Sequence, residues 1–312
     1  MAIIRERDKL SMGFNVVRAG LCSLLVDLGR PDRRELGVPV GGAADRAAYR
    51  LGNALMGTAS NAAALEITLA GPTLEATAAH AGVVFGSEAV VTINGKAWPT
   101  GLTFQLEAGD SLAIGAAING ARTHLCVAGG FEAPLLLGSQ SAFSRITSDT
   151  HLKAPASRLR SRRRLAKPWS EPDARILRVL PGSHLTADTK SLLETTTLTV
   201  SDECDRQGVR LMSDSALLSW PEELVSAPVA SGTVQLPPGG NPIVLGVDAQ
   251  TIGGYPRLAH VIQADLDKIA QLRPGDHVRL RWVELAQAET AWHEREVRLR
   301  ELEAWLTAGA ST

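Results

Sequence analysis

The chain of 312 residues has three cysteines, few aromatic side chains, almost no net charge and no long apolar run. Each shortage excludes a class of protein. Cys22, Cys126 and Cys204 lie far apart in sequence, without the close pairing of zinc sites or redox motifs, so they read as buried free thiols. Lys and Arg number 32 against 33 Asp and Glu, and a formal charge of −1 provides no positive field for nucleic acid. No segment approaches the roughly 18 to 20 apolar residues that cross a bilayer, and Met1 to Asp8 is polar where a signal peptide would be apolar. The expectation is a soluble, cytoplasmic protein with neither membrane nor nucleic acid as partner.

Motifs are missing too. There is no Gly-x-x-x-x-Gly-Lys-Ser/Thr, no Gly-x-Gly-x-x-Gly after a strand, and the seven histidines are scattered, so no metal site is expected. Lys96 follows the Asn94-Gly95 turn without flanking methionines, which excludes a biotin attachment site on this chain.

What the chain does have is turns and aliphatic residues. Gly 29 and Pro 16 amount to about one residue in seven, which suits short strands joined by turns. The length fits two domains. Asn15 to Asp27 reads as a strand entering a loop, and Ala43 to Met56 as a helix stopped by Gly57. Short strands follow at Leu65–Leu69, Val83–Phe85, Ala89–Ile93, Thr103–Leu106, Ser111–Ile114 and Thr123–Val127, with Asn94-Gly95 as a hairpin turn. Strand character resumes at Ile176 and runs to Trp282, interrupted by helices near Thr186–Glu194 and Asp265–Leu272. The fold class is therefore mainly β, two barrel or sandwich domains at 14–144 and 176–282 with a few short helices. Leu106–Ile114 and Leu272–Leu280 share Leu-x-x-Gly-Asp-x-aliphatic-x-aliphatic late in each half, which supports a duplication.

Between the halves, residues 145–175 carry nine Lys or Arg against three acids and no apolar periodicity, and read as a solvated basic linker or excursion. The tail, 283–308, is a C-terminal helix with Leu285, Trp292, Leu299 and Leu306 every seven residues. It either packs on its own barrel or binds a partner.

Three polar, glycine-punctuated patches sit where strands end. The first runs from Asp27 through Arg30 to Asp45, an acid that also suits a helix N-cap. The second is Asp205-Arg206-Gln207-Gly208, where the guanidinium serves a structural ion pair or a bound carboxylate or phosphate. The third follows the apolar strand Ile243–Val247 and includes Asp248, Gln250, Thr251, Gly253, Gly254, Tyr255 and Arg257, with Gln235 upstream.

These patches resemble the carboxyltransferase-domain, or allophanate hydrolase subunit 2, family, which includes the C subunit of bacterial 5-oxoprolinase and the antagonist of the kinase inhibitor Kip. Four stretches carry the resemblance: Asp27-Leu-Gly-Arg30 with Gly37-Val-Pro39 and Gly42-Ala-Ala-Asp45; Asn61 to Pro72; Val127-Ala-Gly-Gly130 with Leu137-Gly-Ser139; and Asp205-Arg206 through Gly254-Tyr-Pro256. It extends over about Phe14 to Leu306. Where the family has Ser-Gly-Ala-Met-Asp this chain has Gly41-Gly-Ala-Ala-Asp45, and Gly-Ser-Arg-Ser/Thr becomes Gly138-Ser-Gln-Ser141.

The resemblance implies two cyclophilin-like β-barrels and a subunit of an ATP-dependent 5-oxoprolinase-like or allophanate hydrolase-like amidohydrolase. Such a subunit acts on a small amide or lactam with a subunit-1 partner, for which a lactam-utilisation protein is a candidate, and an oligomer is expected. ATP is implied by the resemblance alone, with a partner as a candidate for binding it. On this reading Asp45, Asp205 and Asp248 orient substrate or move protons. Arg30, Arg206 and Arg257 bind a carboxylate or phosphate; Gln235, Gln250, Thr251, Gly253, Gly254 and Tyr255 complete the substrate site. The alternative is a non-catalytic, partner-binding regulator of the Kip-antagonist type.

Overall fold

The computed structural model describes residues 12–165, 169, 174–213, 220 and 224–308. In the first half, eleven antiparallel strands form two sheets facing each other. One contains, in spatial order, His151–Lys153, Gly13–Arg18, Thr73–Ala76, Ser111–Ala117, Ala89–Ile93 and Lys96–Trp98. The other contains Cys22–Val26, Ala64–Thr68, Arg122–Val127, His80–Gly86 and Phe104–Leu106. Phe14, Leu65, Leu74, Phe104, Leu112, Ile114 and Leu125 fill the space between them. The expected single strand over Asn15–Asp27 is two strands in different sheets. The break falls at Gly20, whose φ of +75° turns the chain where a β-branched residue would be strained.

Helix α1, Arg46–Leu55, lies on the outer face of the five-stranded sheet, with Ala47, Leu51 and Leu55 packed toward Val83, Phe85 and Cys126. That covering explains why Arg122–Val127 is buried at every position. A strand covered on both faces reads as a continuous run instead of an alternation.

The second half closes into a seven-stranded barrel: Ile176–Pro181, Arg257–Val261, Thr233–Gln235, Ile243–Leu245, Gly208–Met212, Leu198–Val200 and His277–Trp282. Closure comes from a parallel pairing of the first and last of these, and Leu177, Val179, Val200, Val234, Val244 and Val278 fill the interior. Helices α2, Ala187–Thr195, and α3, Leu266–Gln271, interrupt the strands near the expected places. The two Gly-Asp turns of the internal repeat are built alike. Asp110 accepts from the Glu107 amide at 2.7 Å and Asp276 from the Arg273 amide at 2.9 Å, each three residues back.

Helix α4, Leu285–Thr307, returns to the first half. Leu299 and Leu306 are buried against α1, and Arg50 grips Glu303 and Glu296 with both edges of its guanidinium. Heptad spacing thus serves packing within the chain at those two positions, while Leu285 is exposed. The basic stretch, as far as residue 165, is laid along the first half. His151–Lys153 pairs with Gly13–Arg18, the Ala81 amide donates to Ser157 Oγ at 3.0 Å, and the Arg162 guanidinium stacks 5.0 Å from the Trp98 ring. The expected linker also includes 166–168 and 170–173, which lie outside the described residues.

Candidate functional site

Arg206 stands at the junction of the halves, at the end of the loop entering strand Gly208–Met212. Asp205 shapes that loop by accepting from the Gln207 and Gly208 amides at 2.7 and 3.1 Å. Arg206 Nε and Nη2 then meet Asp248 Oδ2 and Oδ1 at 2.6 and 3.0 Å, a bidentate pair, while Nη2 also donates to the Gly42 carbonyl at 2.7 Å and Nη1 to Glu66. Glu66 lies on the first-half strand Ala64–Thr68 and its side chain is 0% exposed. It also accepts from the Ala44 amide at 2.7 Å and meets His124 Nε2 at 3.2 Å and Arg122 at 3.5 Å. Burial alone would raise its pKa, but Arg206, His124 and Arg122 overcome that and hold the carboxyl well below the usual range. Burial likewise opposes the charge on Arg206, and Glu66 and Asp248 more than offset it, so its pKa is raised. Asp248 is the solvent-facing member of the node, its side chain 32% exposed.

Asp45 occupies the back of this junction. Its Oδ1 caps α1 by accepting from the Ala48 amide at 2.9 Å, and its Oδ2 accepts from Gln271 Nε2 at 2.6 Å. Gln271 in turn accepts from the Ala121 and Arg122 amides, both at 3.0 Å, tying α3 to the first half. Asp267 joins it at the α1 N-terminus, accepting from the Arg46 and Ala47 amides at 3.1 and 3.0 Å. Burial, reinforced by the neighbouring Asp267 charge, pushes the Asp45 carboxyl up to about 6.

Arg30 is 2% exposed, yet no carboxylate pairs with it among the described residues. Its Nε donates to the Leu136 carbonyl at 2.9 Å, its Nη2 to the Ser141 carbonyl, and its guanidinium stacks 4.4 Å from the Phe143 ring. The neighbouring Asp27 fastens the same 136–143 loop by accepting from Ser139 Oγ and Ser141 Oγ, both at 2.6 Å.

A cleft of about 460 Å³ opens on the second barrel, lined by Asp205, Gln235, Gln250 and Tyr255 together with Asp202 and Glu203. Gln235 is buried and its Nε2 has no hydrogen-bond partner, while Gln250 Nε2 stands 3.5 Å from its Oε1. A Cβ at Gly253 would lie 2.7 Å from Gln235 Nε2, so a larger residue there would displace the end of that side chain. Thr251 is buried, its carbonyl accepting from the Val229 amide at 3.0 Å, and Gly254 packs against Ser226. None of these three lines the cleft itself, whose walls come from Gln250 and Tyr255 on either side of them. Arg257 is directed elsewhere, toward the Pro228 carbonyl at 3.5 Å, and its amide donates to His184 Nδ1 at 3.2 Å.

The residues expected from sequence thus gather in two places: Arg206, Asp248 and Arg30 at the junction, and Asp205, Gln235, Gln250 and Tyr255 around the cleft. Glu66, Arg122, His124, Gln271 and Asp27 were not among them. The signal for Glu66 is present in Ala63-Ala-Leu-Glu-Ile-Thr-Leu69, where one carboxylate interrupts an apolar strand. Among the described residues, no group of three or more His, Cys, Asp or Glu could hold a metal ion, and no helix is long and apolar enough to cross a membrane.

The chain, a closed β-barrel joined to a second β unit across a charged, buried seam, belongs to the carboxyltransferase-domain family. The carboxyltransferase domain, subdomain A and B, matches residues 36–282. Among individual proteins, it is 33% identical to the C subunit of 5-oxoprolinase from Haemophilus influenzae over 290 residues, covering 88% of this chain and 93% of that one. The corresponding 5-oxoprolinase protein of Escherichia coli is 31% identical, with 93% and 97% covered. The crystal structure of TTHA0988 superposes with a TM-score of 0.79 at 31% identity over 89% of this chain, which spans 57% of that longer one. The Kluyveromyces lactis urea carboxylase shares the fold with a TM-score of 0.83 at 23% identity, this chain spanning 30% of it.

Proposed function

We propose that the chain is a subunit of a 5-oxoprolinase-like or allophanate hydrolase-like amidohydrolase, acting with a subunit-1 partner on a small amide or lactam. The observation that carries this reading is the bidentate Arg206–Asp248 pair, anchored on buried Glu66 from the other half, with Asp248 facing solvent beside the unpaired Arg30. A carboxylate held in place by a guanidinium can accept a substrate N–H or take a proton. A buried guanidinium without a counter-charge can bind a carbonyl oxygen and stabilise charge developing on it. Gln235, Gln250 and Tyr255 offer amide and hydroxyl groups along the adjoining cleft. Asp45 and Asp205 act by holding α1 and the Arg206 loop in position.

The residues here do not fit ATP. Asp202, Glu203 and Asp205 outnumber Arg210 along the cleft, Arg210 is paired with Glu203 at 3.5 Å, and Arg206 is already engaged by two carboxylates, so a triphosphate would meet repulsion. We assign ATP to the partner. Exposed Leu28, Leu36, Leu135, Leu136, Leu137 and Phe143 cluster on the two loops that Arg30 joins, an apolar collar that favours this face as the partner contact. Three free cysteines suit a reducing cytoplasm. The test is co-expression with neighbouring subunit genes, followed by an assay of ATP-dependent 5-oxoproline opening by the purified assembly. Turnover that requires this chain supports the reading; an assembly that turns over equally well without it overturns the reading.

A further inference from the structure

The arginine-rich excursion between the two halves is pinned to the first half on both sides of its densest run of charge. The Ser157 amide donates to the Ala79 carbonyl at 2.8 Å and the Leu159 amide to Gln105 Oε1 at 2.8 Å. Further on, the Arg163 amide donates to Thr103 Oγ1 at 2.8 Å and the Thr103 amide returns to the Arg163 carbonyl at 3.0 Å. Between these anchors the chain bends at 160–161. A cavity of about 380 Å³ opens beside the bend, bordered also by the C-terminal ends of α1, at Met56 and Gly57, and of α4, at Thr307. That volume suits a small molecule, and the cavity shares no lining residue with the cleft on the second barrel. Arg158, Arg160 and Arg163 line it, and no Asp or Glu does. Glu107 answers Arg158 in an exposed ion pair. Arg163 Nη1 donates to the Leu306 carbonyl at 3.0 Å, which is what an arginine beside a helix C-terminus does without any ligand. Arg160 has neither a hydrogen bond nor an ion pair among the described residues.

One unpartnered arginine on a surface is ordinary; the concentration here is not. Residues 158–164 hold five arginines and no acid. Glu107 offsets one of these charges, and the two helix ends, at about half a negative charge each, offset about one more, so about three remain unanswered. Like charges repel, and the anchored backbone keeps them from spreading apart as they would along a solvated linker. We propose that this cavity binds a small molecule carrying two or more oxyanion charges, a phosphate ester or a polycarboxylate, held by Arg158, Arg160 and Arg163. Guanidinium groups present paired N–H donors that fit either kind of oxygen, and the hydroxyl-bearing Ser161 and Thr307 stand in the same lining. The site lies apart from the Arg206–Asp248 junction and does not depend on the amidohydrolase reading.

The test is isothermal titration calorimetry of the full chain with pyrophosphate, citrate and acetate, at an ionic strength of about 0.15 M so that diffuse surface attraction is screened. Pyrophosphate or citrate binds at least about tenfold more tightly than acetate, and the tighter of the two identifies the site as one for phosphates or for carboxylates. Arg160→Ala, at an exposed position, keeps the thermal midpoint and lowers that affinity about tenfold or more. Arg281→Ala is the control, since it removes the same charge from an exposed position on the second barrel, and it changes affinity less than about twofold. Should Arg160→Ala fail to fold, Arg158→Ala replaces it with the same expected loss. Binding of both multivalent probes no tighter than that of acetate would overturn the proposal. So would wild-type affinity in the cavity variant, or an equal loss in Arg281→Ala, which would mean that the anions gather on the chain's arginines at large.

Discussion

Arg206 serves two carboxylates and a carbonyl drawn from both halves of the molecule, so its removal and that of Asp248 have different consequences. Arg206→Ala leaves the fully buried Glu66 to Arg122, His124 and the Ala44 amide, removes its charge-assisted hydrogen bond, and costs about 1 to 3 kcal/mol in chemical denaturation. Asp248→Asn keeps a hydrogen-bonding group on a partly exposed site and costs about 1 kcal/mol or less. If both variants lost stability equally, the buried Glu66 would not be the reason. Asp45 gives a second prediction, and its sign is opposite to that of most acids in a folded protein. Burial beside Asp267 raises its pKa from 3.8 to about 6, so the folded state binds a proton that the unfolded state has released. Its contribution to stability is then greatest below about pH 4 and falls as pH rises toward 6. Relative to Asp45→Asn, the wild type should lose on the order of 1 to 3 kcal/mol between pH 4 and pH 6.5, read from urea midpoints. A gap between the two proteins that does not change with pH contradicts this. Glu66 works the other way: its lowered pKa contributes stability above the usual carboxylate range that is lost on acidification. In the sequence, Arg206 and Asp248 were legible because they stand among glycines at strand ends. Glu66 was hidden by its apolar neighbours, and the absence of a counter-charge at Arg30 depends on distances that no local pattern encodes.

Helices were the most legible elements, since their spacing and caps are local. Asp45 caps α1 and Thr186 caps α2, each accepting from the amide three residues on. The tail's heptad announced a helix but not its dock, because α1 presents Arg50 to Glu296 and Glu303 from about 250 residues away in sequence. Leu299→Ala should cost about 2 to 4 kcal/mol in denaturation, the lost burial plus the cavity left against α1. A cost below about 1 kcal/mol would mean that α4 is only loosely held. Strand positions were readable where apolar residues alternate or run, as at Ala89–Ile93 and Arg122–Val127. Thr73–Ala76 and His151–Lys153 escaped notice because each is short, and their pairing is imposed by Gly13–Arg18 between them instead of by their own composition.

At the scale of the whole molecule, two β halves were foreseeable from turn density and from the repeated Gly-Asp turn. Barrel closure through the parallel pairing of Ile176–Pro181 with His277–Trp282 was not, being a contact between segments a hundred residues apart. Nor was the seam, where Gln271, Asp267 and Arg206 of one half meet Asp45, Arg46 and Glu66 of the other. The near-zero net charge of the chain conceals this concentration of opposite charges at one buried place. The apolar collar beside it yields a prediction for the assembly. Leu135→Asp combined with Leu137→Asp should weaken co-elution of the partner at least tenfold without shifting the thermal midpoint, since both side chains are exposed. Unchanged co-elution would remove this face from the contact. The most direct measurement is the rate of ATP-dependent 5-oxoproline opening by the purified assembly with Asp248→Asn in this chain. The account predicts loss of about a hundredfold or more in kcat with assembly and thermal stability retained. An unchanged rate would contradict the assignment of the Arg206–Asp248 junction as the working site.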